Sequence, residues 1–250
     1  MINDLAGFLE EKYDKYNRID FIESDPVSIP HQFSKKEDIE IAGFLAATIA
    51  WGQRVTIINN ANKMMKLMGN SPYDFVMSAK AKDLKHFDGF VHRTFNSVDA
   101  AFFIKSLQNI YKNHDGLEKA FSKPDCMQAI NNFRELFFSI EYPHRTGKHV
   151  SNPAENSSAK RLCMYLRWMV RTDKRGVDFG IWNKKLLPFH LMCPLDVHSG
   201  NVARKLGLLK RTQNDWKAVE ELTINLRKFD ANDPVKYDFA LFGLGVFEKF

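Results

Sequence analysis

An all-α fold is what this sequence predicts, on three observations. Apolar residues recur at helical spacing along nearly the whole chain, and no stretch alternates with the period of a strand. Pro, Gly, Ser, Asn and Asp punctuate the intervals between the periodic runs. With 250 residues, 44% hydrophobic and 26% charged, the chain can bury one sizeable core or two smaller ones.

Taken in order, Ser34 of "FSKKED" is a candidate N-cap for "IEIAGFLAATIAW" (39–51). That run is apolar on almost every side, as expected of a central buried helix. Gly52 breaks it. A second helix follows from about Arg54, with Val55, Ile58, Ala61, Met65 and Met68 on one stripe, which reads as core and not as a cofactor site. Pro72 of "SPYDFV" holds the favoured first-turn position of a third. Further helical stretches fall near 98–112 and 125–140. The segment "EYPHRTGKHVSNPAENSS" (141–158) is a long polar loop and the best domain junction. Helices then run near 158–171, 197–209, 214–228 and 233–249. The division expected is one helical subdomain over 34–150 and a second made of 1–33 together with 151–250.

No apolar run approaches the ~20 residues that span a bilayer, so no membrane partner is expected. The start "MINDLAGFLEEKYDKY" has acids and no basic n-region, unlike a signal peptide. Cys126, Cys163 and Cys193 are odd in number and far apart, which argues against both a CxxC-type metal clip and a disulfide framework. A cytoplasmic protein with reduced thiols, no metal and no cofactor is the expectation.

Charge placement says more than the net +6. Between Ser157 and Arg211 there are twelve Lys/Arg and three Asp, so this segment holds all of the excess positive charge. Such concentration favours a polyanion, and nucleic acid is the first candidate. Within it, "SSAKRLCMYLRWMVR" places Leu162, Leu166, Met169 and Val170 on a buried stripe. Lys160, Arg167 and Arg171 share another face, which without acids is suited to phosphates.

"CPLDVHSGNVARKLGL" (193–208) sets Asp196 ahead of an apolar-periodic run with Val202, Ala203 and Leu206 facing inward. Asp is a favoured N-cap, so Asp196 can start a helix at Val197.

The stretch "PLDVHSGNVARKLGL" resembles the signature of the helix-hairpin-helix DNA glycosylases. "FLAATIAWGQRVTIINNANKMM", far upstream, is similar to that family's early buried helix, break and following helix. "DFALFGLGVF" is a weaker third likeness, to a terminal helix with a glycine. The resemblance implies two helical subdomains with a cleft between them, and base-excision repair of damaged double-stranded DNA. It maps the family's catalytic carboxylate onto Asp196, the following histidine onto His198 and a lesion-proximal glutamine onto Gln53. The pattern departs from the family in three places. "RTDKRGVDFGIWNKKLLPFHLM" lacks the L-P-G-V-G hairpin turn, Asp178 stands where the nucleophilic lysine usually lies, and the four iron–sulfur cysteines are missing. A divergent branch that resembles the archaeal 8-oxoguanine glycosylases tolerates a nonstandard hairpin, and the chain as a whole most resembles a bacterial family of such glycosylase-like proteins. In the archaeal branch the lysine lies further upstream, which suits Lys160; Lys174 and Lys184 are its alternates.

A glycosylase breaks the C1′–N bond of a nucleotide turned out of the stack. A fixed carboxylate beside C1′ stabilises the oxocarbenium-like charge and can activate the attacking group. Asp196 is assigned that role, and Lys160 is either an amine nucleophile giving a Schiff base and AP-lyase activity, or a phosphate contact. An oxidised purine is the first candidate lesion. Gln53, Arg54, Arg167, Arg171, Lys174, Arg175, His198 and Arg204 are the expected DNA contacts, and the protein is expected to act as a monomer. Trp51, Trp168 and Trp182 could stack on bases, or serve only as core. Two other classes stand beside the enzyme: an inactive helix-hairpin-helix nucleic-acid-binding module, and a metal-dependent phosphohydrolase suggested by eight histidines and "DVH" but poorly served by ligand spacing.

Overall fold

A computed structural model of the chain describes residues 4–182 and 185–250. Among these, the helices are α1 (Leu5–Tyr16), α2 (Ile19–Glu23), α3 (Lys36–Thr48), α4 (Arg54–Leu67), α5 (Pro72–Ser78) and α6 (Ser97–Asn113). They continue with α7 (Gly116–Ala120), α8 (Cys126–Phe137), α9 (Lys160–Val170), α10 (Val197–Lys205), α11 (Trp216–Leu226) and α12 (Asp238–Val246). One antiparallel hairpin, β1 (Val91–His92) and β2 (Phe95–Asn96), pairs Val91 with Asn96 and His92 with Phe95. Strands of two residues are too short for alternation to register in a sequence. The fold is otherwise helical.

Two compact units divide the chain. One holds residues 22–123 and 128–151; the other holds 1–21, 124–127 and 152–250. The first crossing falls at 21/22, where the sequence reading put it at 33/34. The physical reason is that residues 26–32, with Pro26, Val27, Ile29 and Pro30 buried, pack on α3 and α4.

The unit of residues 22–151 is organised by α3, whose residues 39–48 are all buried, as the uninterrupted apolar run anticipated. Ser34 is not its cap. The helix starts at Lys36 without a side-chain cap bond, and Glu37 and Asp38 complement the positive end of its dipole instead. Phe44 sits among Phe103 (5.7 Å between centroids), Phe133 (5.2 Å) and Phe137 (5.5 Å), so much of the Phe-rich composition forms one aromatic core. After Thr48 the chain turns through Gly52, whose φ of +106° a side chain rarely adopts. On α4 the buried face is Ile57, Ala61, Met64 and Met65, with Met68 buried just after. Val55, assigned to that stripe from periodicity, is 72% exposed.

In the other unit α9 is central: every residue from Leu162 to Val170 is buried. Helices α1 and α10 both pack on α12. Gly243 permits the close approach of α1, because a β-carbon there would stand 2.1 Å from the Tyr16 ring.

Candidate active site

Asp196 is the N-cap of α10, with extended backbone before the helix. Its Oδ1 accepts from the amides of His198 (2.8 Å) and Ser199 (3.0 Å). Ser199 returns the contact, its Oγ accepting from the Asp196 amide at 3.0 Å, a reciprocal capping box that immobilises the carboxylate. Capping consumes one oxygen. The other, Oδ2, lies 3.4 Å from the Lys160 ammonium, and both side chains remain about a quarter exposed (26% and 27%). Burial pushes the Asp196 carboxyl up, but Lys160 and the Ser199 amide outweigh it and hold the group below the ordinary carboxylate range.

Lys160 is the first residue of α9. It follows Ala159, a buried non-glycine residue at φ +46°, a left-handed conformation that costs roughly 1–2 kcal/mol and so must be held by its surroundings. Asn156 and Asp215 supply that hold. Asn156 Nδ2 donates to Asp215 Oδ2 (3.0 Å), the Trp216 amide donates to the Asn156 carbonyl (3.2 Å), and Ser157 bridges to Asp215. Asp215 also caps α11. From the same helix, Thr223 Oγ1 accepts from the Cys193 amide at 3.0 Å and donates to the Val219 carbonyl at 2.7 Å. Thus α11 anchors the segments that lead into both Lys160 and Asp196, although the two are remote in sequence.

A third ionisable group is coupled to them electrostatically. Asp238, the first residue of α12, is buried and accepts a hydrogen bond from Arg167 Nη1. It feels the charges of Lys160 and Asp196, and burial drives its carboxyl up to about 6. The sequence pattern alone gave Asp238 no role. An Asp at the head of a run as apolar as "FALFGLGV" was the available signal, the same one that exposed Asp196.

Two expected phosphate contacts require correction. Arg167 is 4% exposed and Arg171 is 0% exposed. Arg167 donates from Nε to Asp178 Oδ1 (3.2 Å) and from Nη1 to Asp238. Arg171 reaches Asp178 (2.9 Å), Asp173 (2.6 Å) and Asp233 (2.8 Å), and donates to the Tyr13 hydroxyl at 2.7 Å. A buried guanidinium without such partners would be prohibitively costly. The polar face of α9 therefore meets carboxylates, not DNA. Asp178, standing where the resemblance places a lysine, is the shared counter-ion of both arginines.

The remaining candidates are dispersed. Lys174 is exposed on the loop after α9. Arg175 pairs with Asp14 and lies over the Tyr13 ring at 4.5 Å. Arg204 is turned to structural use, donating to the carbonyls of Arg211 (2.8 Å) and Thr212 (2.9 Å) and to Asn214 Oδ1 (2.6 Å), which shapes the loop before α11. His198 is exposed in the first turn of α10, two residues from Asp196. In the unit of residues 22–151, Gln53 is exposed at the start of α4 and Arg54 is half-exposed beside it. Trp51 there is half-buried, edge-on to His92 (5.0 Å) and stacked near His149 (6.0 Å). Trp168 and Trp182 are 0% and 3% exposed, so their part is core packing and not base stacking. Lys184 lies outside the described residues.

The three cysteines are free and buried in one unit. Contact with Cys126, and burial, hold the Cys163 thiol well above its ordinary value. Among the described residues, no group of three or more His, Cys, Asp or Glu is arranged to hold a metal ion, and no helix is long and apolar enough to cross a membrane.

Compared with known proteins, residues 25–247 match the family model described as protein of unknown function (DUF2400), which spans most of the chain and shows that the chain belongs to that family. No curated protein and no solved structure matches it.

Proposed function

We propose that this member of the DUF2400 family is a DNA glycosylase that removes a damaged base by attack at C1′, with Lys160 as the amine nucleophile and Asp196 as the fixed anion. The observation that carries the reading is the 3.4 Å approach of Lys160 Nζ to Asp196 Oδ2, each at the start of its own helix and each partly open to solvent. Their residue types match the chemistry. Displacement at an anomeric carbon needs a nucleophile on one side of a developing cation and a negative charge beside it. The cap bonds keep Asp196 ionised and oriented at no further cost when the sugar charge develops.

Lys160 stands at the N-terminus of α9 and faces the Asp196 carboxylate. A lysine attack ends in a Schiff base, so strand cleavage at the abasic site belongs to the same proposal. The resemblance offers an oxidised purine as the first lesion to try. Of the expected contacts in this unit, Lys174 and His198 are exposed and left to meet phosphates, since Arg167 and Arg171 belong to the core and Arg175 is paired with Asp14.

A panel of duplexes, each with one lesion, assayed in single turnover with wild type and Asp196→Asn, tests the proposal. Base release by wild type from at least one duplex, abolished in the variant with DNA binding retained, is expected. Full release by Asp196→Asn removes the catalytic assignment. For Lys160, borohydride trapping decides: an undiminished covalent adduct in Lys160→Gln excludes this lysine as nucleophile.

A further inference from the structure

Among the described residues, six that are not glycine have a positive φ. Five of them, Asn70, Arg93, Asp115, Asn156 and Lys249, are polar and exposed. The sixth, Ala159, is apolar and 1% exposed, and it stands directly before Lys160. Its place is the N-cap of α9, a position that ordinarily takes extended backbone and a Ser, Thr, Asp or Asn side chain. Asp196 meets both conditions at the start of α10, and Ala159 meets neither. A buried outlier of this kind persists only where its surroundings over-determine it, and such outliers collect at functional sites.

We infer that Ala159 is a positioning residue: its buried left-handed turn fixes the direction in which Lys160 leaves the start of α9, and with it the approach of Nζ to Asp196. The consequence for chemistry rests on the glycosylase reading; the placement itself does not. Three bonds lock the turn. The Ala159 amide donates to Ser157 Oγ at 3.3 Å, and its carbonyl accepts from the amides of Leu162 and Cys163, both at 2.9 Å. Glycine would adopt this φ of +46° without strain but would leave the junction free to swing. Alanine is strained there and, with its methyl buried, confined. One peptide link separates the turn from the Lys160 Cα, and the long side chain magnifies any rotation on its way to Nζ. A displacement of about 1 Å between reacting groups costs roughly a hundredfold in rate.

The charged and titratable groups that bear on Asp196 are Lys160 from α9, His198 on its own helix, Asp238 from α12 and the Cys193 thiol. Of these, Lys160 does most to hold the carboxyl below its ordinary range, and it is the group 3.4 Å from Oδ2. The Asp196 titration therefore reports, without DNA, whether Lys160 is in place. A residue that served only the stability of the fold would leave that titration alone.

The test compares wild type with Ala159→Gly, which relieves the backbone and frees the junction. A control, Ala154→Gly, loosens an exposed position of the turn Pro153–Glu155 in the same loop. Asp196 is titrated by NMR of its side-chain carboxyl carbon, with Asp196→Asn identifying the resonance. Ala159→Gly is expected to melt no lower than wild type, since the strain it relieves offsets the freedom it adds to the unfolded chain. Its Asp196 midpoint should move up towards the ordinary carboxylate range, and single-turnover base release should fall about tenfold with DNA binding kept. Ala154→Gly should leave the midpoint where it is. An Asp196 titration or a rate that Ala159→Gly does not alter overturns the inference. So does a variant that fails to fold or melts several degrees lower, because Ala159 would then serve packing and not placement. An equal shift from Ala154→Gly overturns it too, since any loosening of the loop would suffice. A shifted midpoint in Ala159→Gly, with no base released by wild type from any duplex, supports the placement and sinks the glycosylase reading instead.

Discussion

Arg171 donates to Asp178 across 2.9 Å inside a unit where neither side chain reaches water. The pair explains why a helix rich in arginine is also a core helix. Burial lowers the Arg171 guanidinium, but Asp178 and Asp233 more than reverse this and raise it. Removing one partner leaves the other charged, buried and under-satisfied. Asp178→Ala is therefore expected to destabilise the protein by about 3–5 kcal/mol in urea denaturation. Arg171→Ala should likewise reduce stability; normal stability with weakened DNA binding would return this arginine to the surface reading.

Under the proposed function, Asp196 links catalysis to acid stability. Its folded-state carboxyl lies below its ordinary value, so the anion stabilises the native state. That contribution is complete above the ordinary carboxylate range and is lost as pH falls through the depressed folded value. Asn can still cap α10, whereas Ala cannot, so Asp196→Ala should cost about 1 kcal/mol at neutral pH and Asp196→Asn less. Urea titrations at pH 7 and at acid pH check both points: each substitution should flatten the acid dependence. An unchanged slope would show that the carboxylate is not held as described.

Thr223 is the remote control on the site. Thr223→Val removes the acceptor for the Cys193 amide, leaving a buried N–H unpaired at a cost of about 1–3 kcal/mol. Asp196 follows three residues later on the same segment. Under the proposed function the variant should lose single-turnover rate while keeping DNA affinity. Equal losses in both would mean general loosening and not misplacement of Asp196.

Gly243 and Tyr16 form a size-matched pair between α12 and α1. Gly243→Ala overpacks against the Tyr16 ring and should destabilise by about 1–3 kcal/mol. In a double-mutant cycle, Tyr16→Ala should recover part of that cost, because the clash then has no partner. Additive penalties would contradict the close approach.

How far the sequence carried can be judged from particular residues. The buried character of α3 was legible because its apolar residues leave no polar face to choose. Asp196 was legible for a similar local reason: a cap, its helix and the inward-facing Val202 and Ala203 are consecutive. On α4 periodicity found a helix but rotated its buried face, since Val55 and Ile57 differ little in composition and neighbours alone decide which is covered. The expectation for Arg167 and Arg171 went wrong because a charged stripe on a helix was read as facing water. In the fold that stripe meets Asp178, Asp233 and Asp238, contributed by segments that follow it in the chain.

Local order along the chain determined by itself that the protein is helical, where most helices start and that Asp196 would be fixed at a helix entrance. Tertiary structure alone decided that Lys160 meets Asp196, that Asp238 pairs with Arg167 and that two arginines belong to the core. Capping and periodicity act within a few residues, whereas burying a charge demands a counter-charge from wherever the folded chain can deliver one.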